Sequence, residues 1–128
     1  MNPTRAALSA LTISSALFAA TMAQAEAIDV VWPDNGRYGL ANDLPAGKTL
    51  ELCSRLGSGS RITWAFTGSG PTDFNIRYHL GKLAVYSVQL KQATQGQQVL
   101  NVAAEQKFCW MWTNAGGTPV ALKLSLLR

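Results

Sequence analysis

Histidine is nearly absent from this chain: His79 is the single one, and the cysteines stop at two, Cys53 and Cys109. Any Ser-His or Cys-His nucleophile would have to be built on His79 alone. Methionine is as scarce, with only Met22 and Met111 after the initiator, so no spaced set of metal ligands can be assembled. Neither a metal nor a cofactor is expected. The carboxylates after residue 25 are Glu26, Asp29, Asp34, Asp43, Glu51, Asp73 and Glu105, scattered at turns and segment ends. They do not read as the facing pair of a glycoside hydrolase. Two Gly-Ser-Gly runs lack the Gly-Lys-Ser/Thr that grips a nucleotide. Lys and Arg never form a run, which argues against nucleic acid as a partner. Past Ala23 no segment is long and apolar enough to span a bilayer as a helix, so no transmembrane anchor is expected.

What is present begins with a leader. Arg5 is followed by small and apolar residues from Ala6 to Ala23, diluted by Ser9, Thr12, Ser14, Ser15 and Thr21, and then by the small-x-small triplet Ala23-Gln24-Ala25. That order predicts a signal peptide over 1–25 with cleavage after Ala25, Ala27 being the alternative. Residues 26–128 are then one domain, periplasmic or secreted. In such a compartment thiols oxidise, and a Cys53–Cys109 disulfide is expected. With Arg5 removed, ten Lys and Arg face seven Asp and Glu. This mild excess allows weak attraction to lipid headgroups or polysaccharide.

Turn signals recur at short intervals: Pro33 to Gly36, Pro45 to Gly47, Gly57 to Ser60, Gly68 to Pro71, Leu80 to Lys82, Gln95-Gly96 and Asn114 to Gly117. Between them the apolar residues alternate. Ile62, Trp64 and Phe66 share one strand face, as do Phe74, Ile76 and Tyr78, and again Val120, Leu122, Leu124 and Leu126. Phe108, Trp110 and Trp112 likewise share a face, opposite Cys109, Met111 and Thr113. The segment Lys82 to Leu90 is apolar on both parities, which suits cover on both faces or a sheet edge under a loop. Gln92 to Glu105 reads as an exposed loop around Gly96 followed by a strand or a short helical turn. Seven or eight short strands predict an all-β fold, an antiparallel β-sandwich of jelly-roll-like kind.

The placed strands resemble a GOLD (Golgi dynamics) domain. Trp64 and Phe66 match its W-x-F strand. Asp73, Phe74, Ile76 and Tyr78 match its D-[IF]-x-[IF]-x-[VY] strand, and Phe108, Cys109, Trp110 and Asn114 approximate its late strand. The likeness spans Leu44 to Arg128 and is similar to small exported bacterial proteins of this type. It implies a sandwich that binds a protein or a lipid surface, with no catalytic residues to carry over. Cargo transport is not implied, because the coiled coil and C-terminal membrane span of the cargo-receptor branch are missing.

For function, Asn75, Arg77 and His79 project from one face of their strand and form a polar, partly cationic row; a solvated outer face is the plainer reading. His79 alone is a poor metal ligand. Trp110 and Trp112 read first as core, with Trp112 and Trp32 keeping a claim to sugar or headgroup contact. The expected function is an exported, non-enzymatic binding module for a protein partner or an envelope surface of lipid or glycan. The competing expectation is a small periplasmic metal-handling protein or envelope hydrolase.

Overall fold

The computed structural model describes residues 25–128. The expected signal peptide lies outside the described residues apart from Ala25, its last. Seven strands follow one another: β1 (Ala25–Asp29), β2 (Arg37–Leu44), β3 (Thr49–Leu56), β4 (Arg61–Leu80), β5 (Leu83–Asn101), β6 (Gln106–Thr113) and β7 (Val120–Leu127). Among the described residues no helix is long and apolar enough to cross a membrane.

The all-β expectation holds, and the architecture turns on one very long hairpin. β4 pairs with β5 along nearly its whole length. On its other side β4 pairs with β7 over Thr63 to Gly68, then with β6 over Asp73 to Arg77. The hairpin therefore belongs to both layers. One layer runs β1-β3-β6-β4-β5 and the other β2-β7-β4-β5, a single curled sheet folded over its own core. One pairing departs from the antiparallel expectation: β1 lies parallel to β3. Between them the chain crosses to the second layer to make β2, so it returns to the first layer running in its original direction.

The inner faces carry the residues that alternation selects. Leu50, Leu52, Phe74, Ile76, Phe108, Trp110 and Trp112 from the first layer meet Ile62, Trp64, Phe66, Leu122, Leu124 and Leu126 from the second. Where the layers meet, Phe66 lies 4.7 Å from Phe74 and 5.7 Å from Trp112 between ring centroids, and Trp64 lies 4.9 Å from Phe74. Rings in this range gain quadrupole contacts beyond their buried area.

Two expected turns are not turns. Gly68 to Pro71 is the place where β4 passes from one layer to the other within a continuous strand, with its register against β5 shifting between Thr67 and Thr72. A Cβ on Gly68 would stand 2.8 Å from the Gly70 carbonyl oxygen, so a side chain there is barred by the kink. The matching kink in β5 is at Gln92, whose φ is +47° and whose amide donates to Asp73 Oδ1 at 3.0 Å. Gln95-Gly96, expected in a loop, lies inside β5 opposite Thr67 and Phe66. Gly96 is there for space: a Cβ would come within 2.6 Å of Phe66 Cε1 and 3.1 Å of the Trp64 ring. Gly96→Val is expected to lower the unfolding free energy by about 1–3 kcal/mol, measured by urea denaturation, because two packed rings would have to move.

Lys82 to Leu90 is half of the β5 edge strand. It lies at the sheet edge as one expectation had it, but with no second cover: Val88 and Leu90 pack on the core from one face, and Leu83, Tyr86, Ser87 and Gln89 are exposed. The chain turns at Asn114 to Gly117, but not as the expected hairpin into the last strand: β6 and β7 do not pair, and the segment crosses from one layer to the other. Asn114 is buried at 1 % exposure, donates through Nδ2 to the carbonyls of Leu44 and Thr118, and accepts from the Gly116 amide through Oδ1. Asn114→Ala should cost about 1–3 kcal/mol in the same measurement, since two carbonyls and an amide lose their partner.

Candidate functional site

The disulfide is formed between Cys53 and Cys109, which face each other as register partners in β3 and β6 with Cα atoms 4.1 Å apart. It lies on the outer face of the first layer, opposite Trp110. Glu51 Oε1 stands 3.5 Å from Cys53 Sγ and completes a group of Glu51, Cys53 and Cys109. Both sulfurs are bonded to each other, so the group offers neither a thiolate ligand nor a thiol proton.

The row expected at Asn75, Arg77 and His79 is on this same outer face. Asn75 is registered against Met111, and Arg77 against Cys109, which sets its stem beside the disulfide. On the other flank Arg77 faces Tyr86, which is 44 % exposed. Asn75 Oδ1 and Arg77 Nε are both buried without a hydrogen-bond partner. Nearby cations are neutralised, Arg55 by Glu105 at 3.3 Å and Lys107 by Asp29 at 3.6 Å. Arg77 has no such carboxylate among the described residues.

Beyond Arg77 the hairpin continues alone. Its pairing with β6 stops at Arg77 and Cys109, whereas β4 and β5 stay paired out to Leu80 and Leu83. Tyr78 still packs on Phe108, with ring centroids 5.1 Å apart. Past it, His79, Leu80, Gly81, Lys82, Leu83 and Ala84 form a projecting end with no third strand beside it. Gly81 and Lys82 are the whole loop, and only Gly81 has positive φ, at +59°. This is the pattern of a II′ hairpin turn, in which glycine at the first position supplies the required backbone twist. Leu80 and Leu83 stand side by side there, 51 % and 65 % exposed.

No protein-family model matches the chain, and no curated protein matches it in sequence. Its likeness is to solved structures. One is PliG of Aeromonas hydrophila, a periplasmic inhibitor of g-type lysozyme, at TM-score 0.56 and 15 % identity over 80 % of this chain and 97 % of that one. Another is the pre-peptidase C-terminal domain of a Bacillus anthracis collagenase, at TM-score 0.53 and 10 % identity over 79 % and 94 %. At these identities the likeness is one of β-fold.

The tryptophans with a claim to surface contact are placed differently from the row. Trp112 is 1 % exposed and packs on Phe66 and Phe74, so it is a core side chain. Trp32 sits half-buried in the crossing from β1 to β2. Its Nε1 donates to Ser54 Oγ at 2.9 Å, and the Arg128 guanidinium lies 5.0 Å over its ring. It pins the crossing to β3, and one of its faces is already covered by a cation.

A surface concavity of about 490 Å³ is on the outer face of the second layer, lined by Ala41, Thr67, Gly68 and Ala121. It holds one carboxylate, Asp43, and one cation, Lys123. Ser69 beside them accepts the Ala121 amide through its hydroxyl at 2.8 Å. A hydrolytic pair of carboxylates is not assembled in it.

Sequence reading missed Leu80, Leu83 and Tyr86 as exposed residues, and the charge pattern that goes with them. From Phe74 to Ala104 the chain contains Arg77, Lys82 and Lys91 and no carboxylate; the other seven cations of residues 26–128 balance the seven carboxylates. Of the three in that stretch, Lys91 stands 4.0 Å from Asp73 at the kink, which leaves Arg77 and Lys82 unopposed toward the hairpin end. The signal was in the sequence as a 31-residue stretch free of acids.

Proposed function

We propose that the protein is an exported, non-enzymatic binding module whose contact element is the projecting end of the β4–β5 hairpin. The observation that carries this is the coincidence of two exposed leucines and Lys82 at the unsupported hairpin end, with an exposed tyrosine and an arginine without a carboxylate at its base. Apolar side chains scattered singly over a surface are ordinary, whereas adjacent ones such as Leu80 and Leu83 mark a contact site. The fold it shares with a lysozyme inhibitor supports a role in binding rather than turnover, as does the single-carboxylate concavity. Export is supported by the leader and by the disulfide. The partner is a protein or an envelope surface.

Site-specific photocrosslinking in native envelope tests the contact element without prejudging the partner. A photoreactive side chain replacing Leu83 or Tyr86 is expected to give adducts, and one replacing Val31, which is 81 % exposed elsewhere on the surface, is expected to give few. Equal labelling from Val31 would overturn the assignment. Stoichiometric binding of copper or zinc in equilibrium dialysis, lost on His79→Ala, would instead favour the metal-handling alternative.

A further inference from the structure

The geometry points to an anionic lipid bilayer as what the hairpin end contacts, with Leu80 and Leu83 entering the headgroup region and Arg77, His79 and Lys82 facing lipid phosphates. This rests on the hairpin end being the contact element and names the chemistry that it meets.

Three observations favour lipid over a protein surface. The first is charge of one sign. Protein interfaces match positive patches to negative ones; this hairpin end offers Arg77 and Lys82 with no acid from Phe74 to Leu90, while Lys91 lies back at the kink, 4.0 Å from Asp73. A bilayer with anionic headgroups asks only for cations, each adding about 1 kcal/mol of attraction near the surface. The second is the identity of the exposed apolar pair. Leucine is under-represented among protein hot spots, whereas it is a common membrane-facing residue of interfacial elements.

The third is depth. Leu80 and Leu83 are register partners at the turn, and Arg77 and Tyr86 are register partners three residues further back. At about 3.3 Å per residue, that separation is roughly 10 Å. Interfacial segments bury their apolar side about 5–10 Å into the headgroup and acyl boundary. With the leucines at that boundary, Tyr86 and Arg77 fall at headgroup level, where an amphipathic ring and a guanidinium are both favoured. Lys82 at the turn has a long apolar stem that lets its ammonium reach back to the phosphates. The hairpin end can enter without opening its fold, since its backbone is already paired across Leu80 and Leu83.

The test uses residues 26–128 with the disulfide intact and vesicles of phosphatidylglycerol and phosphatidylethanolamine, with phosphatidylcholine vesicles as the uncharged control. Flotation is expected to carry the protein with the anionic vesicles alone and to lose it at high salt. Leu80→Ser with Leu83→Ser should lower partitioning by about tenfold or more, and Lys82→Ala by about fivefold. The altered side chains are exposed, so circular dichroism should be unchanged. Leu83→Trp should show a blue shift of its emission on anionic vesicles. Flotation that ignores these substitutions, or no flotation with anionic vesicles, overturns the lipid assignment. If photocrosslinks from position 83 then go to a protein, the lipid assignment fails and the binding-module reading stands. If position 83 gives no adduct of any kind, both fail.

Discussion

Removing the Cys53–Cys109 cross-link, by Cys53→Ala with Cys109→Ala or by reduction, is expected to lower the unfolding free energy by about 4 kcal/mol. The two residues are 56 apart in sequence. Without the bond, the unfolded chain recovers the freedom of that loop, which chain-entropy reasoning values at about 4 kcal/mol. The native state loses little in return, because Cys53 and Cys109 are register partners that the β3–β6 ladder holds opposite each other in any case. For a domain of this size the midpoint of thermal unfolding should fall by on the order of 20 °C. Urea titrations with and without reductant measure it. A change below about 1 kcal/mol would mean that the unfolded chain is already restrained in the region the disulfide closes.

Much of this fold was legible because a half-buried strand writes its two faces into alternate positions. Ile62, Trp64 and Phe66, then Phe74 and Ile76, then Val120 to Leu126, all point where alternation puts them. The motifs that carry the GOLD resemblance are made largely of these same inward residues. Phe66, Phe74, Ile76 and Trp110 are core positions, and Asp73 fixes the β5 kink through the Gln92 amide. Such motifs speak of packing and crossing geometry, so they inform the fold and leave the partner open.

The glycines misled for a physical reason. Turn chemistry and close approach both call for a residue without Cβ, and sequence alone does not separate them. Gly81 is a turn residue with positive φ, but Gly96 is a strand residue under two aromatic rings. Read as turns, Gly68 and Gly96 divide one continuous hairpin into separate short strands; the turn at Leu80 to Lys82 is legible, but not the length of the hairpin that carries it. The candidate row suffered similarly. Asn75, Arg77 and His79 were placed on one face by parity, but only the pairing of Arg77 with Tyr86, and the end of β6 at that level, show where the row leads. Charge is similar: Arg77 and Lys82 are apart in sequence and only the hairpin brings them to one end, while Lys91 is drawn to Asp73 at the kink.

The core gives the other large expected effect, and it separates packing from hydrogen bonding. Trp112→Ala should cost about 3–5 kcal/mol, the range for deleting a large buried ring. Trp112 is 1 % exposed, and its ring stands 5.1 Å from Phe74 and 5.7 Å from Phe66 between centroids. Yet its indole Nε1 has no hydrogen-bond partner, and neither have those of Trp64 and Trp110. A buried donor left unpaired carries a desolvation cost of about 1–3 kcal/mol. Trp112→Phe keeps most of the ring contacts and removes that donor, so it should cost less than half as much as Trp112→Ala by urea denaturation. Equal costs would show that the indole N–H is satisfied after all, by a bound water or by a neighbouring ring face. Because Trp112 lies inside the sandwich and the hairpin end lies outside it, folded Trp112→Phe protein should partition onto anionic vesicles as the parent does. The leucine variants should do the reverse, losing the vesicles while keeping the unfolding midpoint, and that crossed pattern is what a binding element separate from the core requires.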